Sequence, residues 1–335
     1  LRQEPILVAA RVLVTRPIPD AGMSRLREAG YELAENREDR VLEEGELRRL
    51  AAGCEGILCL LTDRIDGKLL DAARGCRIVA NMAVGYNNVD VAAASSRGVL
   101  VTNTPGVLTE ATADLTWALI LAVARRVVEG DAEMRGGRFP GWGPLYLLGG
   151  DVAGSTLGLI GPGRIAAAVA RRAVGFRMKI VYHGRHPSRE LDALGARSAS
   201  LNELLAEADF VSLHVPLTAE THHLIDERAL DRMKRTAYLI NTARGPVVDE
   251  AALVRALRSG RIAGAGLDVY EDEPKMAAGL SDLQSAVLLP HLGSATKGTR
   301  GAMAEMAATN LIAGLSGKRP PNLVNPDVWR DDRTY

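Results

Sequence analysis

Three side chains in the second half of this sequence could together carry out a reduction. Arg244, Glu273 and His291 lie in the segments L-I-N-T-A-R-G-P-V-V-D, G-A-G-L-D-V-Y-E-D-E-P and L-L-P-H-L-G-S-A-T, each of which runs off the end of a predicted strand. Open α/β sheets build their sites at the carboxyl ends of strands, so successive strand ends bring such residues to one place. Reducing a carbonyl next to a carboxylate needs a cation to grip the acid and polarise the carbonyl. It also needs an acid to protonate the developing alkoxide, and a group that orients that acid and favours its protonated form. Arg244, His291 and Glu273 can fill these roles in that order. Singly each is ordinary, since surface arginines and loop glutamates are common and a lone histidine is usually structural; the shared placement makes the joint reading specific.

The electron source is suggested by G-L-I-G-P-G-R-I-A at residues 158–166, which follows a predicted strand and opens the alanine-rich stretch A-A-A-V-A-R-R. In a dinucleotide-binding turn Gly161 makes the tight bend and Gly163 lets the backbone approach a pyrophosphate. A small Ala166 allows close packing of helix on strand. The helix start, with Pro162, Arg164 and Ile165 around it, offers free N–H groups and the positive end of the dipole. A ribose-binding acid is expected about 20 residues on, at the end of the next strand. Instead K-I-V-Y runs into His183, Gly184, Arg185 and His186, and the first carboxylate is Glu190, beyond a proline. Arg185 would suit a 2'-phosphate, which predicts NADP(H) in preference to NAD(H), with NAD(H) still possible; otherwise Arg185 only solvates a loop.

The elements that must position these groups alternate between strand and helix. Strands are predicted at 11–15, 56–60, 77–80 and 99–101, then at 156–160, 179–182, 210–214, 238–241, 264–269 and 287–289. Such alternation implies parallel strands with crossover helices, hence two doubly wound α/β domains. A long apolar-periodic helix begins near Thr109, a plausible N-cap, and could join the domains. R-G-G-R-F-P-G-W-G-P-L-Y-L-L-G-G reads as an extended loop, and a last helix spans about 295–315.

The bulk numbers narrow the function. A chain of 335 residues exceeds one core, and zero formal charge with 47% hydrophobic residues argues against nucleic-acid or polybasic membrane partners. Cys54, Cys59 and Cys76 have no metal-ligand spacing, so no metal is expected, and their odd number fits a reducing compartment. No apolar run approaches a membrane span, and the first ten residues lack the pattern of a signal peptide, which places the protein in the cytoplasm.

Over nearly its whole length the sequence resembles the D-isomer-specific 2-hydroxyacid dehydrogenases, and within them the glyoxylate/hydroxypyruvate reductases. The resemblance runs from V-T-R-P-I-P through L-L-T-D-R-I-D, A-V-G-Y-N-N-V-D and T-N-T-P-G-V-L-T-E-A-T-A-D-L to the three segments above. It implies that Arg244 binds substrate, that Glu273 pairs with His291, and that His291 is the acid/base. Val84 and Gly85 N–H groups would hold the substrate carboxylate. Asp268 would face the nicotinamide carboxamide or cap its strand end. Thr112, His214, Pro216 and Thr221 would line the cofactor cleft, with Thr242, Ala243 and Gly293 beside them. It also implies a Rossmann-type cofactor domain (105–290) inserted in a flavodoxin-like substrate-binding domain (1–104 and 291–335), with the active-site cleft between them. A homodimer would form through the long loop, where Trp142 would reach the partner's site or bury the loop itself. Ala166 in place of glycine and Pro162 in place of an apolar residue depart from the pattern without removing the donors.

The expected activity is reduction of glyoxylate or hydroxypyruvate by NADPH. Another 2-keto acid such as 2-ketogluconate is the close alternative, and a dinucleotide-sensing, corepressor-like binding protein is the alternative from another class.

Overall fold

The computed structural model describes residues 9–330, so the opening segment read above for a signal peptide lies largely outside the described residues. The chain divides into two compact units, one running to Leu108 and resuming at Thr296, the other Thr109–Ala295. These breaks fall a few residues beyond 104 and 290. His291 and Gly293 stay with the second unit because they are hydrogen-bonded to its strand ends.

The first unit holds a parallel sheet of β1 (Arg11–Val14), β2 (Glu32–Glu35), β3 (Gly56–Cys59), β4 (Ile78–Asn81) and β5 (Leu100–Thr102), in the order β2-β1-β3-β4-β5. That is the flavodoxin-like order. Alternate residues pack on opposite faces. Val12, Leu58, Ile78 and Leu100 meet Met303, Ala307 and Leu311 of the helix Lys297–Leu315, while Leu13, Ile57, Val79 and Val101 meet Leu47 and Leu69. With both faces covered, the strands read as continuous apolar runs. The exception is β2, E-L-A-E, an edge strand with partly exposed residues that carries no apolar signal and was not expected.

The second unit holds β6 (Thr156–Ile160), β7 (Lys179–His183), β8 (Arg197–Ser198), β9 (Phe210–Leu213), β10 (Tyr238–Asn241), β11 (Gly264–Leu267) and β12 (Ala286–Leu288). Their order is β12-β11-β10-β9-β6-β7-β8, all parallel. Renumbered within the unit, this is the Rossmann order 3-2-1-4-5-6 with one strand added. The two-residue β8, exposed at the edge, is the other strand missed in the sequence. The long helix is Thr109–Ala124, with Thr109 inside it rather than capping it, and it lies wholly in this unit. Trp117 donates from Nε1 to Val169 O at 3.0 Å and stacks on Phe176, locking this helix to Arg164–Gly175. No helix among the described residues is long and apolar enough to cross a membrane.

The last described segment of the first unit is tied to β5 by a buried side chain. Asn325 accepts from Val101 N–H at 2.8 Å and donates to Val99 O and Ser95 Oγ, beside the 2.7 Å bond from Val324 N–H to Val101 O. Replacing Asn325 with Ala leaves these partners unmet in the interior. It is expected to cost about 1–3 kcal/mol, read as a lower denaturant midpoint and faster hydrogen exchange at Val99 and Val101.

Candidate active site

Arg244 follows β10, and the buried Asn241 at the end of that strand folds the chain to present it. Asn241 donates to Arg244 O at 2.9 Å and accepts from Ala243 N–H at 3.0 Å. Its neighbour Thr242 meets Thr116 at 2.9 Å between hydroxyls. Gly245 is required by close approach: a Cβ there would lie 1.8 Å from the Tyr270 carbonyl carbon. Arg244 and the segment carrying Glu273 are therefore packed backbone to backbone. Burial works against the charge of the half-buried Arg244 guanidinium and Glu273 favours it. An arginine remains a cation in either case.

His291 follows β12, and its Nδ1 lies 2.9 Å from Glu273 Oε2, both side chains being about three-quarters buried or slightly less (26% and 31% exposed). Burial raises the Glu273 carboxyl, but the His291 hydrogen bond and charge, Tyr270 N–H and the Arg244 charge outweigh it, leaving it below the usual range. Glu273 is thus an ionised acceptor that fixes the ring and leaves Nε2 as the group able to exchange a proton. The three residues singled out by their types are brought together.

Asp268, one residue past β11, is buried, and both of its carboxylate oxygens are engaged. Oδ1 accepts Leu292 N–H at 2.6 Å and Oδ2 accepts Gly293 N–H at 2.8 Å, while its own carbonyl accepts His291 N–H at 2.9 Å. Asp268 thereby caps the loop that carries His291. Thr112 joins it by donating to Gly293 O at 3.1 Å.

The glycine turn is built as its spacing implies. Gly161 has φ +95°, and a Cβ on it would lie 2.8 Å from the His214 backbone, so no other residue fits between β6 and β9. The helix Arg164–Gly175 begins at Gly163 without a side-chain cap, and Ala166 is fully buried. Uncapped N–H groups at the switch point of the sheet fit a dinucleotide pyrophosphate, held by the 161–166 backbone. Pro162 packs over Gly184, where a Cβ would lie 2.3 Å from the proline ring. Arg185 and His186 are exposed past β7, and Glu190, the first carboxylate after that strand in the sequence, is taken by Arg171. His214 is pushed down to about 3 by burial and meets Ser212 Oγ at 2.9 Å, so it is a neutral ring. Thr221 donates to Pro216 O at 2.6 Å and accepts from Thr218 N–H, closing the turn after β9. Among the described residues no group of three or more His, Cys, Asp or Glu is placed to hold a metal.

One positioning residue carried no sequence signal. Glu250, the first residue of the helix Glu250–Arg258, looks like an ordinary acid in a first turn, yet it is buried. Its carboxylate accepts Glu271 N–H at 2.6 Å and Ala277 N–H at 2.9 Å, pinning both ends of the segment that presents Glu273. Burial raises its carboxyl, opposed by these two N–H groups. His223 Nε2 holds the adjacent Glu271 at 2.6 Å.

A Rossmann-ordered sheet with an uncapped glycine turn and a histidine–glutamate pair at its strand ends defines a nicotinamide dinucleotide-dependent oxidoreductase. The model of the D-isomer specific 2-hydroxyacid dehydrogenase, NAD binding domain, matches residues 117–293, and the chain belongs to this family. It is 51% identical over 321 residues to a glyoxylate reductase of Korarchaeum cryptofilum, covering 95% of this chain and 96% of that one. A glyoxylate reductase of Thermococcus litoralis is 49% identical over 323 residues, covering 95% and 97%. Among solved structures, a Thermus thermophilus protein superposes with a TM-score of 0.89 at 52% identity, covering 94% of this chain and 99% of that one. An NADPH-dependent glyoxylate/hydroxypyruvate reductase of Sinorhizobium meliloti, in complex with NADP and malonate, gives 0.85 at 37%, covering 97% and 99%.

Replacing Glu250 with Ala leaves Glu271 N–H and Ala277 N–H unmade. Each is expected to cost about 1–3 kcal/mol, with faster hydrogen exchange at both amides and a fall in turnover as Glu273 loses its fixed place.

Proposed function

We propose that this enzyme reduces glyoxylate, and hydroxypyruvate in addition, with NADPH preferred over NADH. The observation that carries the reading is the 2.9 Å His291–Glu273 pair beside Arg244, on a sheet whose relatives at about half identity are glyoxylate reductases. Bound nicotinamide supplies the hydride. Val84 and Gly85 N–H groups and the Arg244 guanidinium bind the carboxylate, and Arg244 polarises the carbonyl as negative charge grows on its oxygen. His291 donates the proton from Nε2, and Glu273 holds the imidazolium before transfer and the neutral ring after it.

Two further parts of the reading rest on surface features. Exposed Arg185 beyond β7 would meet a 2'-phosphate, with Thr112, His214, Pro216, Thr221, Thr242, Ala243 and Gly293 lining the rest of the cofactor site. Trp142 and Leu145 are 86% and 82% exposed, and Phe139 and Leu148 are exposed with them. An apolar loop of this kind supports a homodimer. The three free thiols support a cytoplasmic location.

Loss of nicotinamide absorbance on adding glyoxylate tests the activity. His291→Ala is expected to lower kcat by about 100- to 10,000-fold, and an unchanged rate would remove the proposed acid. For the cofactor, wild-type kcat/KM should favour NADPH, and Arg185→Asp should move the ratio toward NADH by about tenfold or more. A wild-type preference for NADH would overturn that assignment.

A further inference from the structure

The loop after β4 has three consecutive carbonyls held from behind. Thr104 N–H donates to Ala83 O at 2.9 Å, Asn103 Nδ2 to Val84 O at 2.8 Å, and Asn81 Nδ2 to Gly85 O at 3.0 Å. A trans peptide points its N–H opposite to its C=O. The N–H groups of Val84, Gly85 and Tyr86 are therefore directed away from this anchorage, and none of the three meets an acceptor among the described residues. Successive backbone N–H groups presented in this way bind anions.

Asn81 is fully buried at the last position of β4, and its own orientation is set by a second amide. Its Nδ2 also donates to Asn88 Oδ1 at 3.2 Å, and Asn88 Nδ2 donates to Leu60 O at 3.0 Å and Asp63 O at 3.1 Å. Asp63 in turn closes that turn by accepting Leu60 N–H at 2.8 Å and the Thr15 hydroxyl at 2.5 Å. Asn88 is thus tied to the turn after β3, and Asn81 cannot rotate away from Gly85 without leaving a buried amide unpaired.

We infer that Asn81, oriented by Asn88, is a positioning residue for recognition of the substrate carboxylate: it fixes the Gly85–Tyr86 peptide so that Tyr86 N–H becomes a third donor beside those of Val84 and Gly85. The inference rests on the proposal that this loop binds the acid. Asn81 itself touches no reacting atom. A strand-end asparagine that only stabilised the loop would affect stability and leave carboxylate affinity and turnover to change together.

The test compares wild type with Asn81→Leu and the milder Asn81→Ser and Asn88→Ala, all with saturating cofactor. Oxalate, an unreactive dicarboxylate, is titrated calorimetrically, and glyoxylate kinetics are measured in parallel. Expected are losses of about 10- to 100-fold in oxalate affinity and a matching rise in glyoxylate KM, with kcat held within about threefold and cofactor Kd unchanged. Asn88→Ala should act in the same direction more weakly, and the Asn81/Asn88 double variant should be no worse than Asn81 alone, because the two act as one unit. Unchanged oxalate affinity in a folded Asn81 variant overturns the inference, as does a parallel fall in kcat and cofactor affinity. Wild type that binds oxalate but does not reduce glyoxylate would sink the proposed activity, while the oxalate losses would still decide the role of Asn81.

Discussion

The catalytic half of this enzyme depends on one buried carboxylate at the end of β11. Asp268 accepts His291 N–H with its carbonyl and Leu292 and Gly293 N–H with its two side-chain oxygens. His291 has φ +55°, a left-handed conformation unfavourable for a side chain of its size. The three bonds hold it there and aim the ring at Glu273. Burial raises the Asp268 carboxyl above its usual range, opposed by the N–H groups of Leu292 and Gly293 and the charge of His291.

A similar device recurs at several loops that follow strands. Asn241 holds Arg244, Glu250 spans the segment around Glu273, and in the first unit Asn81 and Asn103 hold the loop at 84–86. Parallel strands end by releasing backbone groups from the ladder, and those groups need partners once buried. Short polar side chains at the strand ends supply them, and by doing so fix where the next residues point.

Charge is distributed to match the roles. Glu273 is kept ionised by its partners, His214 is kept neutral by burial, and Arg244 carries its cation into a half-buried position that water screens poorly. The glycine turn presents backbone N–H groups with no side-chain cap, and Arg185 lies exposed beyond β7. In a protein with no net charge, such local arrangements decide what binds.

By itself the sequence determined the elements that bury both faces and pointed to the residues proposed to react. β3, β4, β6 and β10 are apolar runs because parallel strands are covered on both sides, and Arg244, Glu273, His291 and the glycine turn, each ordinary alone, stand out by their shared placement at strand ends. Short edge strands escaped notice, since Glu32–Glu35 and Arg197–Ser198 are held by a neighbouring ladder and not by their own burial. Thr109 reads as a cap but is helical. Only the tertiary structure decided which polar residues do the holding. Glu250 and Asn81 are common types in unremarkable places, and their importance lies in backbone groups up to 27 residues away in sequence that folding brings within hydrogen-bond reach.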